Sequence, residues 1–467
     1  MLKIVLKPHR SALKAGSTTE QKIFALLKLI PTVEVARSRP PIALCLVIDT
    51  SGSMRAFADQ QSAQQMINSR GMRGVANSTD GAFQSFNLNL PTLLEQAISA
   101  AHSLVDDPRL QPEDTISIVH FDDKAKALAP QMSLSRRAEV HRAIDSLRDY
   151  SGGTRMARGL NCALEQIERL SPQTAKRVLV FTDGATNDER DCLQLLPRFS
   201  ASNTPLIGIG LGEEYNAELL SKMADATQAR PYHLRQMSDL GDILATEVEQ
   251  TAREVVTDLR MTVSLVSGVR LDAVTRVYPS LAHLDAREMP CRLGNITSGD
   301  YTAFVLEFTA LGVERTETRV RAARVVLTAN APGLGQTQEF AAQDLIVEFT
   351  RDESRFASVD AEVIGYVQQK NVARLVDEAV RTSGKDAAKA QEALQSAVAM
   401  TKNVGNKYMT QMLQNASDEL SKTGTMSIET GKTVALGLRT RTVRTASVDD
   451  GSDSGLSSEE IRRSSGA

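Results

Sequence analysis

One stretch constrains the rest of the chain, Ile42 to Met54, which reads IALCLVIDTSGSM. The run from Ile42 to Ile48 is short, mostly aliphatic and without alternation, the pattern of a strand buried on both faces at the centre of a parallel sheet. Its carboxyl end delivers Asp49, Ser51 and Ser53. In open α/β sheets that end faces the crevice where ligands sit, at a switch in strand order. A tight turn through Gly52 can fold one carboxylate and two hydroxyls toward a common point. These are hard oxygen donors, suited to Mg²⁺, or to Mn²⁺ or Ca²⁺, each keeping part of its water shell. With so little negative charge of its own, such a site would accept a further carboxylate from outside.

From Pro41 to about Arg253 strand and helix patterns alternate, which predicts a doubly wound, mostly parallel sheet with crossover helices. Helix Leu93 to Leu104 leads to strand Thr115 to Phe121, then Ala125 to Ala129 and helix Arg136 to Leu147. Helix Met156 to Leu170, strand Arg177 to Phe181, helix Glu189 to Phe199 and strand Pro205 to Leu211 follow. Helix Ala217 to Ala226, a short strand Pro231 to Leu234 and helix Asp239 to Val255 close the unit.

The Asp49-Thr-Ser51-Gly-Ser53-Met run after a buried strand resembles the metal-ion-dependent adhesion site of von Willebrand factor A domains. Two more residues of that pattern stand in later loops in the right order: Thr154 in Ser151-Gly-Gly-Thr154, and Asp183 in Phe181-Thr-Asp183-Gly184. The resemblance implies a metal held by Asp49, Ser51, Ser53 and Thr154, with Asp183 bound directly or through water. It further implies one open position taken by a Glu or Asp of a protein partner. It covers residues 41–255 and has one departure, a polar insertion at 55–91 where the family enters a helix within a few residues. Because this segment leaves beside the metal site, it is expected to form a wall or lid there, with Phe83 and Phe86 as apolar contacts.

Residues 256–352 change to period two with turns at Gly268, Ser298-Gly-Asp300 and Pro332-Gly333, the signature of an antiparallel sandwich. Residues 1–40 hold two candidate strands, Lys3 to Lys7 and Lys22 to Leu29, although the second run also fits a short helix. They are expected to complete the sandwich, with the A domain inserted, an arrangement similar to prokaryotic cytoplasmic members of the family. Residues 353–424 read as a small helical bundle, Ala357 to Arg381, Ala387 to Met400 and Lys407 to Ser421, punctuated by Gly384, Gly405 and Gly424. Residues 425–467, dense in Ser, Gly and Asp, are expected to be disordered. Within them Thr440, Thr442, Thr445 and Ser447 lie among Arg439, Arg441 and Arg444, a pattern that suits a Ser/Thr kinase. Val443 and Val448 stand three residues after Thr440 and Thr445, which resembles the phosphothreonine-x-x-aliphatic pattern read by forkhead-associated domains.

Composition narrows the function classes. The chain of 467 residues has a net charge of −3 and 24% charged residues, so no general field draws it to nucleic acid or to anionic lipid. No apolar run approaches the roughly 20 residues of a membrane helix, and the N-terminus lacks a signal-peptide core, so a cytoplasmic protein is expected. The four cysteines show no metal or redox spacing and read as reduced core thiols. The six histidines are scattered and read as structural. No catalytic constellation is expected: an aspartyl phosphoryl-transfer enzyme needs a second carboxylate two residues after Asp49, where Ser51 stands, and Gly431-Lys-Thr433 lacks the rest of a phosphate loop. The reading is therefore a non-enzymatic, metal-dependent protein interaction module. The alternative is a subunit working beside an AAA+ ATPase in remodelling or cofactor insertion.

Overall fold

The chain opens with three strands, β1 (Leu2–Pro8), β2 (Ala12–Lys14) and β3 (Gln21–Pro31), before entering β4 (Ile42–Asp49), every residue of which is buried. The structure, a computed structural model, describes residues 2–32, 39–58, 90–212, 214–234, 239–287, 289–312, 315–331, 336–440 and 442–445. The next strands are β5 (Thr115–Phe121), β6 (Ala125–Ser133), β7 (Ala175–Thr182), β8 (Leu206–Leu211) and β9 (Tyr232–Leu234). They form one sheet in the order β6-β5-β4-β7-β8-β9, parallel except for the β5–β6 pair. Strand order reverses at β4, which places Asp49 at the switch point, where such sheets bind ligands.

Helices α1 (Leu93–Val105), α2 (Arg137–Asp145), α3 (Met156–Ile167), α4 (Glu189–Ala201), α5 (Ala217–Thr227) and α6 (Leu240–Ala252) cover both faces of this sheet. Leu44, Leu46 and Ile48 pack with residues of α1, α2 and α6, while Cys45 and Val47 pack with those of α3, α4 and α5. The uninterrupted apolar run of β4 thus serves two cores at once, one on each side of the pleat.

The remaining strands are β10 (Glu254–Leu265), β11 (Val269–Tyr278), β12 (Ala282–Leu284), β13 (Cys291–Thr297), β14 (Thr302–Ala310), β15 (Thr318–Ala331), β16 (Gln336–Glu339) and β17 (Gln343–Thr350). They form two sheets, β1-β3-β14-β11-β12 and β13-β10-β15-β17-β2, with β16 on β15. Residues 22–29, which fit either a strand or a short helix by sequence, are strand: β3 lies between β1 and β14, with Ala25 opposite Leu306 and Leu27 opposite Phe304. Ile23, Ala25, Leu27 and Leu29 alternate into the sandwich core. The α/β domain is therefore inserted between β3 and β10.

Only Arg253 separates α6 from β10, and a buried ionic contact locks the joint. Arg177 of β7 donates to Thr251 Oγ1 at 2.7 Å and to the Glu254 carboxylate at 2.6 Å, and Asn295 of β13 donates to its other oxygen at 2.8 Å. Burial pushes the Glu254 carboxyl up to about 7, opposed by the Arg177 charge and the Asn295 hydrogen bond.

A short α7 (Glu353–Ala357) precedes α8 (Ala361–Thr382), α9 (Ala387–Asn403) and α10 (Lys407–Thr423). The helix expected from Ala357 begins instead at Ala361, because Asp360 caps it by accepting from Val363 N. The sequence expectation fails more clearly after 425. Residues Ile428–Thr440 form α11, and 442–445 pack against the body, whereas 446–467 lie outside the described residues. Ser427 accepts from Thr430 N at the helix start, Val434 and Leu438 enter the bundle core, and Leu436 enters the α/β core. The helix escapes a composition-based reading because its few apolar residues are divided between two cores rather than gathered on one stripe. Lys432 donates to the Tyr215 carbonyl at 2.6 Å, Arg439 pairs with Asp225, and the Arg439 carbonyl accepts from Leu281 N at 2.9 Å. Leu436→Ala should cost about 2–5 kcal/mol and raise proteolysis after Arg439 and Arg444. Unchanged denaturant midpoint and cleavage rate would refute this anchoring role. Among the described residues no helix is long and apolar enough to cross a membrane.

Candidate metal centre

The fully buried β4 ends in a single turn of 3₁₀ helix, Gly52–Arg55, and this turn carries the site. Asp49 Oδ1 accepts from Ser51 N at 2.9 Å, which bends the chain back over the strand end. Asp49 Oδ2 accepts from Thr182 Oγ1 at 2.9 Å, tying β4 to the end of β7. The Ser51 and Ser53 hydroxyls lie 3.1 Å apart, and Ser53 Oγ donates to Asp183 Oδ1 at 2.8 Å. Asp49, Ser51, Ser53 and Asp183 are thus one hydrogen-bonded cluster of oxygens.

Thr154 joins through backbone. Gly52 N donates to Gly152 O at 3.1 Å, bringing its loop against the serine turn. The Thr154 carbonyl accepts from Asn187 N at 3.1 Å and from Thr186 Oγ1 at 3.2 Å, joining the same loop to the segment after Asp183. The structure therefore brings together all three loops that carry the five expected residues.

Electrostatics leave the cluster short of positive charge. Burial pushes the Asp49 carboxyl up to about 7; hydrogen bonds from Ser51 and Thr182 oppose the shift, and the charge of Asp183 adds to it. Asp183 is raised as well, chiefly by burial, against the hydrogen bond from Ser53. Two partly desolvated carboxylates beside two hydroxyls, all oxygen, are the donor set of a hard divalent cation, and a cation there would remove the penalty that raises them. The residues fit a metal. Among the described residues no three His, Cys, Asp or Glu converge as a ligand set, in this crevice or outside it, and here two carboxylates stand with hydroxyls.

Sequence reasoning missed the supports. Gly153 N donates to Asp123 Oδ2 at 2.9 Å, and a Cβ at Gly153 would stand 2.7 Å from Asp123 Oδ1, so a side chain there would push the Asp123 carboxylate aside. The amino end of α3 is capped from another loop: Met156 N donates to Thr186 Oγ1 at 2.9 Å and Ala157 N to Asp188 Oδ1 at 3.2 Å. A Thr and an Asp soon after Asp183 were the available signal, but nothing in the order of residues shows that they cap a helix thirty positions earlier.

Ala58 N donates to Pro91 O at 3.0 Å and Leu93 N to Ala56 O at 3.0 Å, so the insertion enters and leaves at one point beside the site. Its interior, with Phe83 and Phe86, lies outside the described residues. Of the hydroxyls expected to accept phosphate, Thr440 Oγ1 bonds within α11 and the Thr442 hydroxyl is buried. Thr445 is buried and donates to the Glu362 carbonyl at 3.1 Å; Ser447 lies outside the described residues.

A sheet switching order at β4, with a hydroxyl and carboxylate crevice at its carboxyl end, defines a Rossmann-like α/β domain. Residues 84–246 match the family model of the von Willebrand factor type A domain, and the chain contains a domain of that family. The match begins after β4 and the serine turn, and the insertion stands between that turn and α1. The chain is 25% identical over 229 residues to the uncharacterised protein sll0103 of Synechocystis sp., covering 49% of this chain and 45% of that one. It is 24% identical over 222 residues to the uncharacterised protein YfbK of Escherichia coli, covering 45% and 38%. The matches therefore span less than half the length of these curated relatives. Among solved structures, a von Willebrand factor type A protein from Catenulispora acidiphila superposes with TM-score 0.75 at 17% identity, over 95% of this chain and 97% of that one. The ArnB paralog VWA2 from Sulfolobus acidocaldarius gives 0.58 at 18%, over 95% and 99%. At such identities the likeness is one of fold, and it extends over the sandwich and helical region as well as the A domain.

Proposed function

We propose that this chain is a non-enzymatic, divalent-metal-dependent protein interaction module. Domains of this family commonly mediate protein–protein interaction. The observation that carries the reading here is the joined cluster of Asp49, Ser51, Ser53 and Asp183, made of hard oxygens with two carboxylates held above their ordinary range. Asp49, Ser51, Ser53 and Thr154 would hold Mg²⁺, or Mn²⁺ or Ca²⁺, with Asp183 bound directly or through water. The bound ion supplies a Lewis-acid position for one carboxylate from outside, and the partner is a protein that presents Asp or Glu there. The chain's own part is to hold its oxygens in place through Thr182 and the Gly52–Gly152 contact, so that few protein charges surround the ion and the partner's charge completes them.

The same proposal places the chain in the cytoplasm, in keeping with four unpaired cysteines. A kinase and a forkhead-associated reader would reach Thr445 only after the 442–445 segment lifts from α8. The proposal is tested by affinity capture from native cells with the full chain. Partners identified by mass spectrometry with Mg²⁺ present should vanish with EDTA and with Asp49→Ala. Partners retained equally in all three conditions would remove the metal from the interaction.

A further inference from the structure

Two of the histidines that read as scattered along the sequence meet on the surface of the A domain, away from the serine turn. His102 lies in the last turn of α1 and His141 on α2. Their Nδ1 atoms are 2.6 Å apart, with ring centroids 4.8 Å apart and planes within 25°. The centroids are farther apart than the nitrogens by about the width of a ring, so the imidazoles meet edge to edge rather than face to face. Each outer nitrogen has a carboxylate: His102 Nε2 is 3.2 Å from Asp145 Oδ1, and His141 Nε2 is 3.0 Å from Asp106 Oδ1. Asp145 also accepts from Arg148 at 2.7 Å, and Arg148 in turn donates to Glu95 of α1.

Each carboxylate favours a hydrogen on the Nε2 that faces it. With both Nε2–H groups donating to carboxylates, both Nδ1 lone pairs point inward at each other. A separation of 2.6 Å is met by one proton shared between the two nitrogens or, once the rings part, by a metal ion. A carboxylate behind each imidazole is also the arrangement that orients histidine ligands and raises their basicity toward a metal. The nitrogens would have to part to roughly 3.3 Å for bonds of about 2.0–2.1 Å at a tetrahedral angle. Side-chain exposures of 28% for His102 and 26% for His141 leave both rings room to turn and an ion a way in.

We propose that His102 and His141 form a second metal site, which bridges α1 and α2 and takes a borderline transition ion such as Zn²⁺, Ni²⁺ or Cu²⁺ rather than Mg²⁺. Imidazole nitrogen selects those ions, as the all-oxygen crevice selects hard ones. With two protein ligands and the remaining positions left to water, the site is exchangeable rather than a structural zinc centre.

The test is calorimetric titration of the tag-free full chain with Zn²⁺ in the Asp49→Ala background, which silences the oxygen site. One equivalent should bind, and it should be lost with His102→Gln and with His141→Gln. Asp106→Asn should keep the stoichiometry with affinity lowered 10–100-fold, as for loss of an outer-shell carboxylate. The same histidine variants compared in the otherwise wild-type chain under excess Mg²⁺ make the result independent of how Asp49→Ala folds. Zn²⁺ stoichiometry unchanged by either histidine variant, or a pair that takes up a proton and no metal, would overturn the proposal. Loss of partner capture with this site intact would bear only on the oxygen site.

Discussion

Asp49→Ala is expected to abolish divalent-cation binding at the strand end while the circular dichroism of the chain stays that of a folded protein. Asp49 bridges the serine turn, through Ser51 N, and the β7 end, through Thr182 Oγ1, so its loss removes both a proposed ligand and the brace that aligns the neighbouring oxygens. The same residue predicts an unusual pH dependence. Its folded carboxyl, at about 7, stands above the ordinary 3.8, so between those values the folded state holds a proton that the unfolded state releases. Without metal, its contribution to stability is fully present below about pH 4 and is lost as pH rises through 7. Three pKa units correspond to roughly 4 kcal/mol at most. Saturating Mg²⁺ should reduce that slope, because the ion takes the proton's place, and Asp49→Ala should reduce it without Mg²⁺, the share from Glu254, also held at about 7, remaining in both. Denaturation midpoints from pH 5 to 8, with and without Mg²⁺, read this directly. A metal-free midpoint that does not fall across that window would contradict the assignment.

The second large effect lies at the joint between the domain and the sandwich. Arg177→Ala should destabilise the chain by about 3–5 kcal/mol, since it leaves Glu254 buried without its cationic partner. Adding Glu254→Gln should recover part of the loss, because a neutral amide costs less to bury and can still accept from Asn295. The chain has no Trp, so circular dichroism in urea is the suitable probe. A midpoint for Arg177→Ala equal to that of the wild type would mean that the ion pair does not lock the joint.

What the chain discloses by itself follows from where each contact is local. The β4 strand was legible because burial on both faces removes alternation, and Asp49, Ser51 and Ser53 were legible because the turn that gathers them spans five residues. Thr154 and Asp183 stood out through resemblance to the family pattern, and the structure brings their loops together by backbone bonds. The long-range devices were not legible. The α3 cap comes from Thr186 and Asp188, and His102 and His141 are separated by 39 positions. β3 fits strand or helix in isolation, and its pairing with β14 across the inserted domain decides for strand. α11 was hidden by the composition around it, because Leu436 finds its core in a domain more than two hundred residues earlier.

The most direct test is a crystal grown with excess Mn²⁺ and examined for anomalous density. One peak is expected at the carboxyl end of β4, bounded by oxygens of Asp49, Ser51, Ser53 and Thr154, with Asp183 at or one water from it. Those oxygens turned apart with no peak between them would contradict the account and leave only the fold.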